Sequence, residues 1–472
     1  MFCDPTTAFC EYYRCPASLL SLSCADNISK GRGYFRFGTD TVCYGQSSAV
    51  FRTEQSNCSL YDVAEDIKFD RFGITLPFNP AEISSNLRYE RYTAESNSNR
   101  LASSAVRWAY YLARPFLPLP VRKHLQRIRL NGWRQISFPR WPVGAEVDSM
   151  FERLMVVGLR ASSTNCIPFI WFWPNGYPTA AIMTHDVETI RGRNFCSQLM
   201  DLDDSFGIKS SFQLIPEDRY PVTEEFVDEI WERKFEVNVH DLNHDGHLVD
   251  TFERFKLRAE KINGYGRKFR AAGFRSAALY RRLEWWEHLD FAYDMSVPCV
   301  GHLEAQQGGC CSIMPFFVGD LVELPVTTTQ DHTLLNILNE RSIDLWEKQI
   351  DLISRKHGLL NFIVHPDYVI EHTALNIYTQ LLAHLSRMQA DDLIWMALPH
   401  EVNDWWRQRN KMQLIYDCAR GKWMIEGHGR ERARIAYASL DGDQIVYSFE
   451  RPHRDSSEEF LSAVPGEPTP AD

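Results

Sequence analysis

The sequence predicts an α/β protein: a distorted (β/α) barrel of seven or eight units, preceded by a small β-rich N-terminal module and followed by a short C-terminal β extension. Three observations carry this. Apolar runs of strand length recur at 179–184, 209–215, 235–240, 271–275, 291–296, 320–325, 359–365 and 393–398. Helical stretches lie between most of them, and that alternation builds a parallel sheet. The polar residues that look out of place fall at the carboxyl ends of these runs, the face where such barrels keep their active sites.

Taken in order, residues 1–95 form the N-terminal module. The first 30 residues show no dependable period. From Gly33 to Asp70 the text turns β-like, with Tyr34-Phe35-Arg36-Phe37 and Ser48-Ala49-Val50-Phe51-Arg52 as alternating runs. Pro77-Phe78-Asn79-Pro80 breaks the chain, and Ala81 to Arg91 predicts a short helix. Residues 96–145 read as a basic, aromatic, helical linker split by Pro115, Pro118 and Pro120. The barrel occupies 146–410, led in by a helix from Val147 to Arg160 and including a helix from Thr223, its cap, to Arg233. Within 411–472, the turn Asp441-Gly442-Asp443 joins two short strands into a hairpin over Arg434–Ser448, and a disordered tail is expected from Arg451 onward.

Composition bounds the function. The chain has 472 residues, 44% hydrophobic and 24% charged, with a net charge of −11, which excludes a general nucleic-acid binder. The stretch 96–145 reverses the sign: it has nine Arg or Lys and no Asp or Glu, leaving −20 on the rest. Arginines interleaved with Trp108, Tyr110, Tyr111, Phe116 and Trp133 suit a helix on an anionic membrane surface, or a linker packed on the acidic outside of the barrel. Six of the twelve cysteines lie in the first 58 residues without a Cys-x-x-Cys pair. The N-terminus lacks the basic flank and long apolar core of a secretory signal, and no apolar run is long enough to span a bilayer. A cytoplasmic protein with reduced thiols is expected, peripheral on the inner membrane face if the basic segment binds there.

The chemistry is concentrated at the strand ends. Ala180-Ala181-Ile182-Met183 stops at Thr184-His185-Asp186-Val187-Glu188, and the run 235–239 stops at His240-Asp241-Leu242-Asn243-His244. Two imidazoles four residues apart can grip one divalent ion, and a carboxylate from another strand completes a three-ligand site that keeps a position for water. Arg275, Asp294 and His365 end the fourth, fifth and seventh runs.

With those residues in place, the segment from Pro178 to Arg409 resembles the polysaccharide deacetylases of carbohydrate esterase family four. The resemblance covers roughly half the chain through five short motifs, of which His-x-x-x-His and His365-Pro366 are the most specific. It implies Asp186 as general base and His240, His244 and Glu188 as ligands of a divalent metal, expected to be Zn²⁺. The family's usual metal carboxylate directly follows the base; here that residue is Val187, so Glu188 takes the part. The resemblance further implies Arg275 as the group orienting Asp186, His365 as general acid, Asp294 as its supporting aspartate, and Phe362 at the acetyl pocket. It departs from the family at Asp241, where Ser or Thr is usual, and at Ala277, where Pro is usual. The activity it implies is hydrolytic removal of N-acetyl groups from an amino-sugar glycan or glycolipid. The same barrel acting on a cyclic amide, or a catalytically silent glycan-binding or membrane-associated protein, are the other readings.

Ordinary roles compete at several positions. Glu188 can be a carboxylate at a helix N-terminus, and His185 either a ligand or a side chain pointing into the barrel. Asp245, His247 and Asp367 suit turns, caps or substrate contacts, and Trp285-Trp286 reads as packing. His302 and His332 receive no role. Gly264-Tyr265-Gly266 lacks a third glycine and a preceding strand, and no Gly-x-Ser-x-Gly elbow exists.

Overall fold

Asp4 accepts the Thr7 amide and Pro5 sets the first helical φ, so the chain opens with a helix, α1 (Pro5–Tyr13), where the sequence shows no period. This is a computed structural model describing residues 2–49, 53–71, 73–93, 128, 130–162 and 165–451. Strands β1 (Leu22–Cys24), β2 (Gly33–Arg36), β3 (Val42–Gly45), β4 (Lys68–Asp70) and β5 (Gly73–Leu76) follow, then α2 (Pro80–Arg88). β2 pairs antiparallel with β3, and β5 lies between β1 and β4. The expected strand at 48–52 falls partly outside the described residues; β2 takes Val42–Gly45 as its partner. The membrane-helix reading of 96–145 lies outside the described residues over 94–127, as does the tail beyond Arg451. No helix among the described residues is long and apolar enough to cross a membrane.

Helix α3 (Glu146–Ala161) and strand β6 (Ile167–Ile170) lead into the barrel. Its strands are β7 (Ala180–Val187), β8 (Ser210–Leu214), β9 (Glu236–His240), β10 (Gly273–Arg275), β11 (Tyr293–Asp294), β12 (Phe316–Val318), β13 (Leu321–Glu323), β14 (Leu359–Ile363) and β15 (Trp395–Met396). They form one mixed sheet in the order β12-β13-β11-β10-β9-β8-β7-β14, with β15 beside the start of β7; only the β12–β13 pair is antiparallel. Helices α4 (Ile190–Ser205), α5 (Glu224–Glu232), α6 (Phe252–Phe269), α7 (Asp344–Ser354), α8 (Pro366–Val369), α9 (His372–Ala390) and α10 (Pro399–Lys411) join or follow these strands. α5 begins where its cap predicts, the Thr223 side chain accepting the Phe226 amide.

No backbone ladder joins β13 to β14, so the sheet is a strongly curled, distorted barrel rather than a continuous ring. Side chains close the seam instead. Thr327 and Thr328 donate their hydroxyls to the Leu359 and Asn361 carbonyls at 2.7 and 2.8 Å, and Asn361 Nδ2 donates to the Leu324 carbonyl at 3.0 Å. The C-terminal extension is the expected hairpin. β18 (Ile435–Asp441) pairs with β19 (Gln444–Ser448), and also with β6; β16 (Gln413–Asp417) and β17 (Lys422–Glu426) make a second hairpin before it.

Strand parity divides the core in two. Met183, Phe212, Val237, Phe274 and Phe362 face the helices and pack with Phe255, Trp286, Trp346 and Tyr378. Ile182, Tyr293, Met295, Leu324 and Leu359 belong to a second cluster, continuous with Phe9, Tyr13 and Phe35 of the N-terminal module and Met150 and Leu154 of α3. Each fully buried side chain of this kind contributes about 1.5–3 kcal/mol, which keeps the strand tips, and the polar groups on them, in fixed register.

Candidate metal centre and hydrolytic site

Eight consecutive buried residues make β7 rigid to its tip, and alternation puts Thr184 and Asp186 on one face and His185 and Val187 on the other. Glu188 follows on the same side as Asp186. Opposite, β9 ends at His240, and the chain turns back through Asp241 and His244 in the left-handed region (φ 56° and 55°). Arg219 fixes that turn by donating to the Asn243 and His244 carbonyls at 3.1 and 2.6 Å.

The result is one cluster: a carboxylate oxygen of Glu188 and a ring nitrogen of each of His240 and His244, all within 4.8 Å of one another. His240 Nδ1 stands 3.2 Å from the Arg275 carbonyl, which fixes that nitrogen as the donor and leaves Nε2 with a free lone pair. Burial pushes this imidazole down to about 4, so it is neutral at physiological pH. Neither His240 Nε2 nor His244 Nε2 has a hydrogen-bond partner although both are buried. His244 Nε2 and Glu188 Oε1 are 2.9 Å apart yet outside hydrogen-bond geometry. Two buried imidazole nitrogens and one carboxylate oxygen this close together, with a further position open, fit a divalent ion.

Asp186 stands beside this cluster and is held by another group. Its Oδ1 accepts Arg275 Nη1 at 2.7 Å, and its Oδ2 is 3.8 Å from His240 Nε2. Arg275, fully buried at the end of β10, also donates to the Thr184 hydroxyl at 2.8 Å and to the Met295 carbonyl at 2.9 Å. Burial alone would raise the carboxyl of Asp186; Arg275, His240 and His365 outweigh it and keep the group below the usual carboxylate range. Glu188 is lowered further, burial again being outweighed, here by His244, His365 and His240.

His365 faces the cluster from β14, its Nε2 3.8 Å from Glu188 Oε1. The carboxylate that supports it is Asp331, not Asp294. Asp331 accepts the His365 ring Nδ1 at 2.6 Å and the His365 amide at 2.8 Å. Burial opposes the charged ring, but Asp331, then Glu188 and Asp186, raise it to about 10. Asp294 is on the wrong face. It pairs in register with Phe274 and Glu323, and its oxygens accept Trp286 Nε1 and the Ser296 hydroxyl, both at 2.6 Å, on the helix side of the sheet. No strand or helix periodicity marks Asp331, which opens a short helical turn past the sixth strand; its only sequence signal is the polar run Thr327-Thr328-Thr329-Gln330-Asp331-His332.

The remaining candidates settle into supporting places. His185 points outward, its Nε2 3.0 Å from Asp203 of α4, and is no ligand. Asp367 accepts the Glu188 amide at 3.0 Å and the Thr189 hydroxyl, anchoring the ligand loop. Asp245 takes both terminal nitrogens of Arg258, His247 pairs with Asp250, and Trp286 stacks on Phe255. Phe362 faces Trp346 in the outer core; on the inner face Ile363 packs with Leu279 and Val326. Asp186, Glu188, His240, His244, Arg275 and His365 therefore meet at one mouth, whereas Asp294 and Phe362, expected there, lie on the outer face.

No protein-family model matches the sequence, and no curated protein does. Solved structures align with about half of the chain. A candidate polysaccharide deacetylase from Mycobacterium smegmatis is 16% identical, covering 50% of this chain and 93% of that one, with a TM-score of 0.40. The allantoinase PuuE is 10% identical over 50% of this chain and 92% of its own, with a TM-score of 0.39. The peptidoglycan deacetylase PdaC from Bacillus subtilis is 10% identical over 48% of this chain and 90% of its own, with a TM-score of 0.31.

Proposed function

We propose that this protein is a metal-dependent hydrolase that removes N-acetyl groups from an amino-sugar glycan or glycolipid. The observation that carries the reaction is the meeting of three groups: the Glu188–His240–His244 donor set, a carboxylate held ionised by Arg275, and a histidine held charged by Asp331. The substrate class rests on the sequence motifs shared with polysaccharide deacetylases.

Amide hydrolysis needs a nucleophile at neutral pH and a proton for a poor leaving group. Glu188, His240 and His244 would hold a divalent ion, which would supply Lewis acidity towards a carbonyl and make water a nucleophile at neutral pH. Asp186 is deprotonated and belongs to no ligand position, so it takes the proton from the attacking water. Arg275, whose one ion pair among the described residues is with Asp186, holds Asp186 Oδ1 and leaves Oδ2 for that transfer. His365 carries a proton on the far side and gives it to the departing nitrogen as the C–N bond breaks, leaving acetate and a free amine. Asp331 keeps the ring charged and turned towards the site. The basic, aromatic composition of 96–145 supports action at an anionic membrane face; loss of vesicle flotation on deleting that segment is the expected result.

The test is acetate release from a panel of N-acetylated oligosaccharides, run beside cyclic amides. Asp186→Asn should cut kcat at least about 100-fold with bound metal unchanged. Turnover of cyclic amides alone, or undiminished turnover by the variant, defeats the reading.

A further inference from the structure

Glu90 ends the N-terminal module in the left-handed region (φ 53°), with its carboxylate buried against two loops of the barrel. Its Oε2 accepts Arg281 Nε at 2.7 Å, and its Oε1 accepts both Arg281 Nη2 and the Gly309 amide. Two residues on, the Tyr92 hydroxyl donates to the Gly309 carbonyl at 2.7 Å. The module therefore grips both peptide groups of a single loop residue. A Cβ at Gly308 would lie 2.5 Å from Glu90 Oε1, so only glycine lets the loop come this close.

Arg281 carries the grip to the mouth. Its Nη1 donates to the Leu279 carbonyl at 2.8 Å, and its amide donates to Gln306 Oε1 at 3.1 Å. Ala278 and Leu279 are consecutive non-glycine residues at φ 51° and 54°. Such strain persists only where the surroundings over-determine it, and it collects at functional sites. In this conformation Leu279 packs on Val326 and Ile363, the latter two residues before His365 at the end of β14. The second loop carries Glu304, which accepts Gln330 Nε2; Gln330 directly precedes Asp331, the seat of His365.

We propose that Glu90, acting through Arg281, is a positioning residue for the hydrolytic site: the N-terminal module contributes no reacting group but fixes the two loops that set the Leu279 wall and the Asp331 seat. The inference rests on the hydrolase reading above. Glu90→Gln alone strands a buried guanidinium and risks unfolding, so the decisive variant is the doubly neutral Glu90→Gln/Arg281→Gln. Three readouts are compared with the full-length wild type: Zn²⁺ affinity by calorimetry, kcat and KM for acetate release, and amide hydrogen exchange over 277–281 and 301–309. The expected result is metal affinity and KM within about twofold, kcat lowered at least about tenfold, and faster exchange in both segments. Unchanged kcat with unchanged exchange overturns the proposal, as does faster exchange that leaves kcat intact. If the wild type releases no acetate at all, the hydrolase reading fails, and unchanged exchange in the double variant still refutes the hold of Glu90 and Arg281 on the two loops.

Discussion

Replacing Asp331 by Asn removes the charge and one of two acceptors: the amide oxygen can still accept from the His365 ring, but no second oxygen is left for the His365 amide. Asp331 is the strongest of the groups raising His365, which stands at about 10 against an ordinary 6.5. With that charge gone, the remaining attraction of Glu188 and Asp186 must work against burial, and the ring returns towards 6.5 or below. A ring of pKa about 10 is about 99% charged at pH 8, whereas one of about 6.5 is about 3% charged. The general acid is then scarce, so kcat should fall about 30-fold at pH 8 and little at pH 6. The assay is the pH profile of kcat for acetate release, whose alkaline limb should move down in the variant. Stability gives an independent reading. A histidine with a raised folded pKa adds stability that is fully present below the unfolded value of about 6.5 and is lost as pH rises through about 10. The gap in Tm between metal-free wild type and variant should therefore be widest near pH 6 and close towards pH 10. Asp294→Asn is the matched control, because its carboxylate touches Trp286 and Ser296 and not His365. Superimposable profiles for wild type and Asp331→Asn, or a limb moved by Asp294→Asn instead, would refute the assignment.

Dipicolinate should strip the ion and abolish acetate release, and Zn²⁺ added back should restore it; activity that survives with no metal by elemental analysis contradicts the site. Glu146 is buried at the start of α3 and raised to about 7 by desolvation. For a carboxyl raised in this way the cost is absent below about 4.5 and complete above about 7, up to about 3 kcal/mol. Glu146→Gln keeps an oxygen for the Arg140 amide and should raise Tm at pH 8 but not near pH 4; an equal change at both pH values argues against it.

The barrel was legible because its long strands announce themselves. β7 is eight residues, apolar until its tip, so both its position and the inward direction of Asp186 can be read from alternation. The short strands cannot be read this way. β10 has three residues and β11 two, too few to fix a parity, and Asp294 was placed at the correct strand end but on the wrong face. Register decides it: pairing with Phe274 turns Asp294 towards Trp286. Asp331 is the reverse case: it reaches the mouth from a helical turn eight residues past the end of β13, where no strand alternation points to it. α1 went unread because Thr6, Thr7 and Cys10 are indifferent helix formers; burial of Phe9 and Tyr13 in the shared core overrides their propensity.

The same parity explains why the carboxylate beside His240 and His244 belongs to Glu188 and not to residue 187. β7 remains a strand through Val187, whose side chain is buried in the outer core, so an acid at that position would face the helices. Two residues past Asp186 the chain returns to the inner side, and the amide of Glu188 is tied to Asp367 at 3.0 Å, so the backbone cannot advance. A side chain there must span the remaining gap by its own length. Glu188→Asp withdraws the carboxylate by about 1.5 Å, one carbon–carbon bond, well beyond the ~0.2 Å tolerance of a metal–ligand distance. Zn²⁺ affinity by calorimetry should fall at least about tenfold. Moving the acid back, as Val187→Asp/Glu188→Val, should fare worse: it buries an unpaired carboxylate in the outer core and leaves the two imidazoles without an anion. A variant of that kind that folded and bound Zn²⁺ like the wild type would show that the third ligand comes from elsewhere.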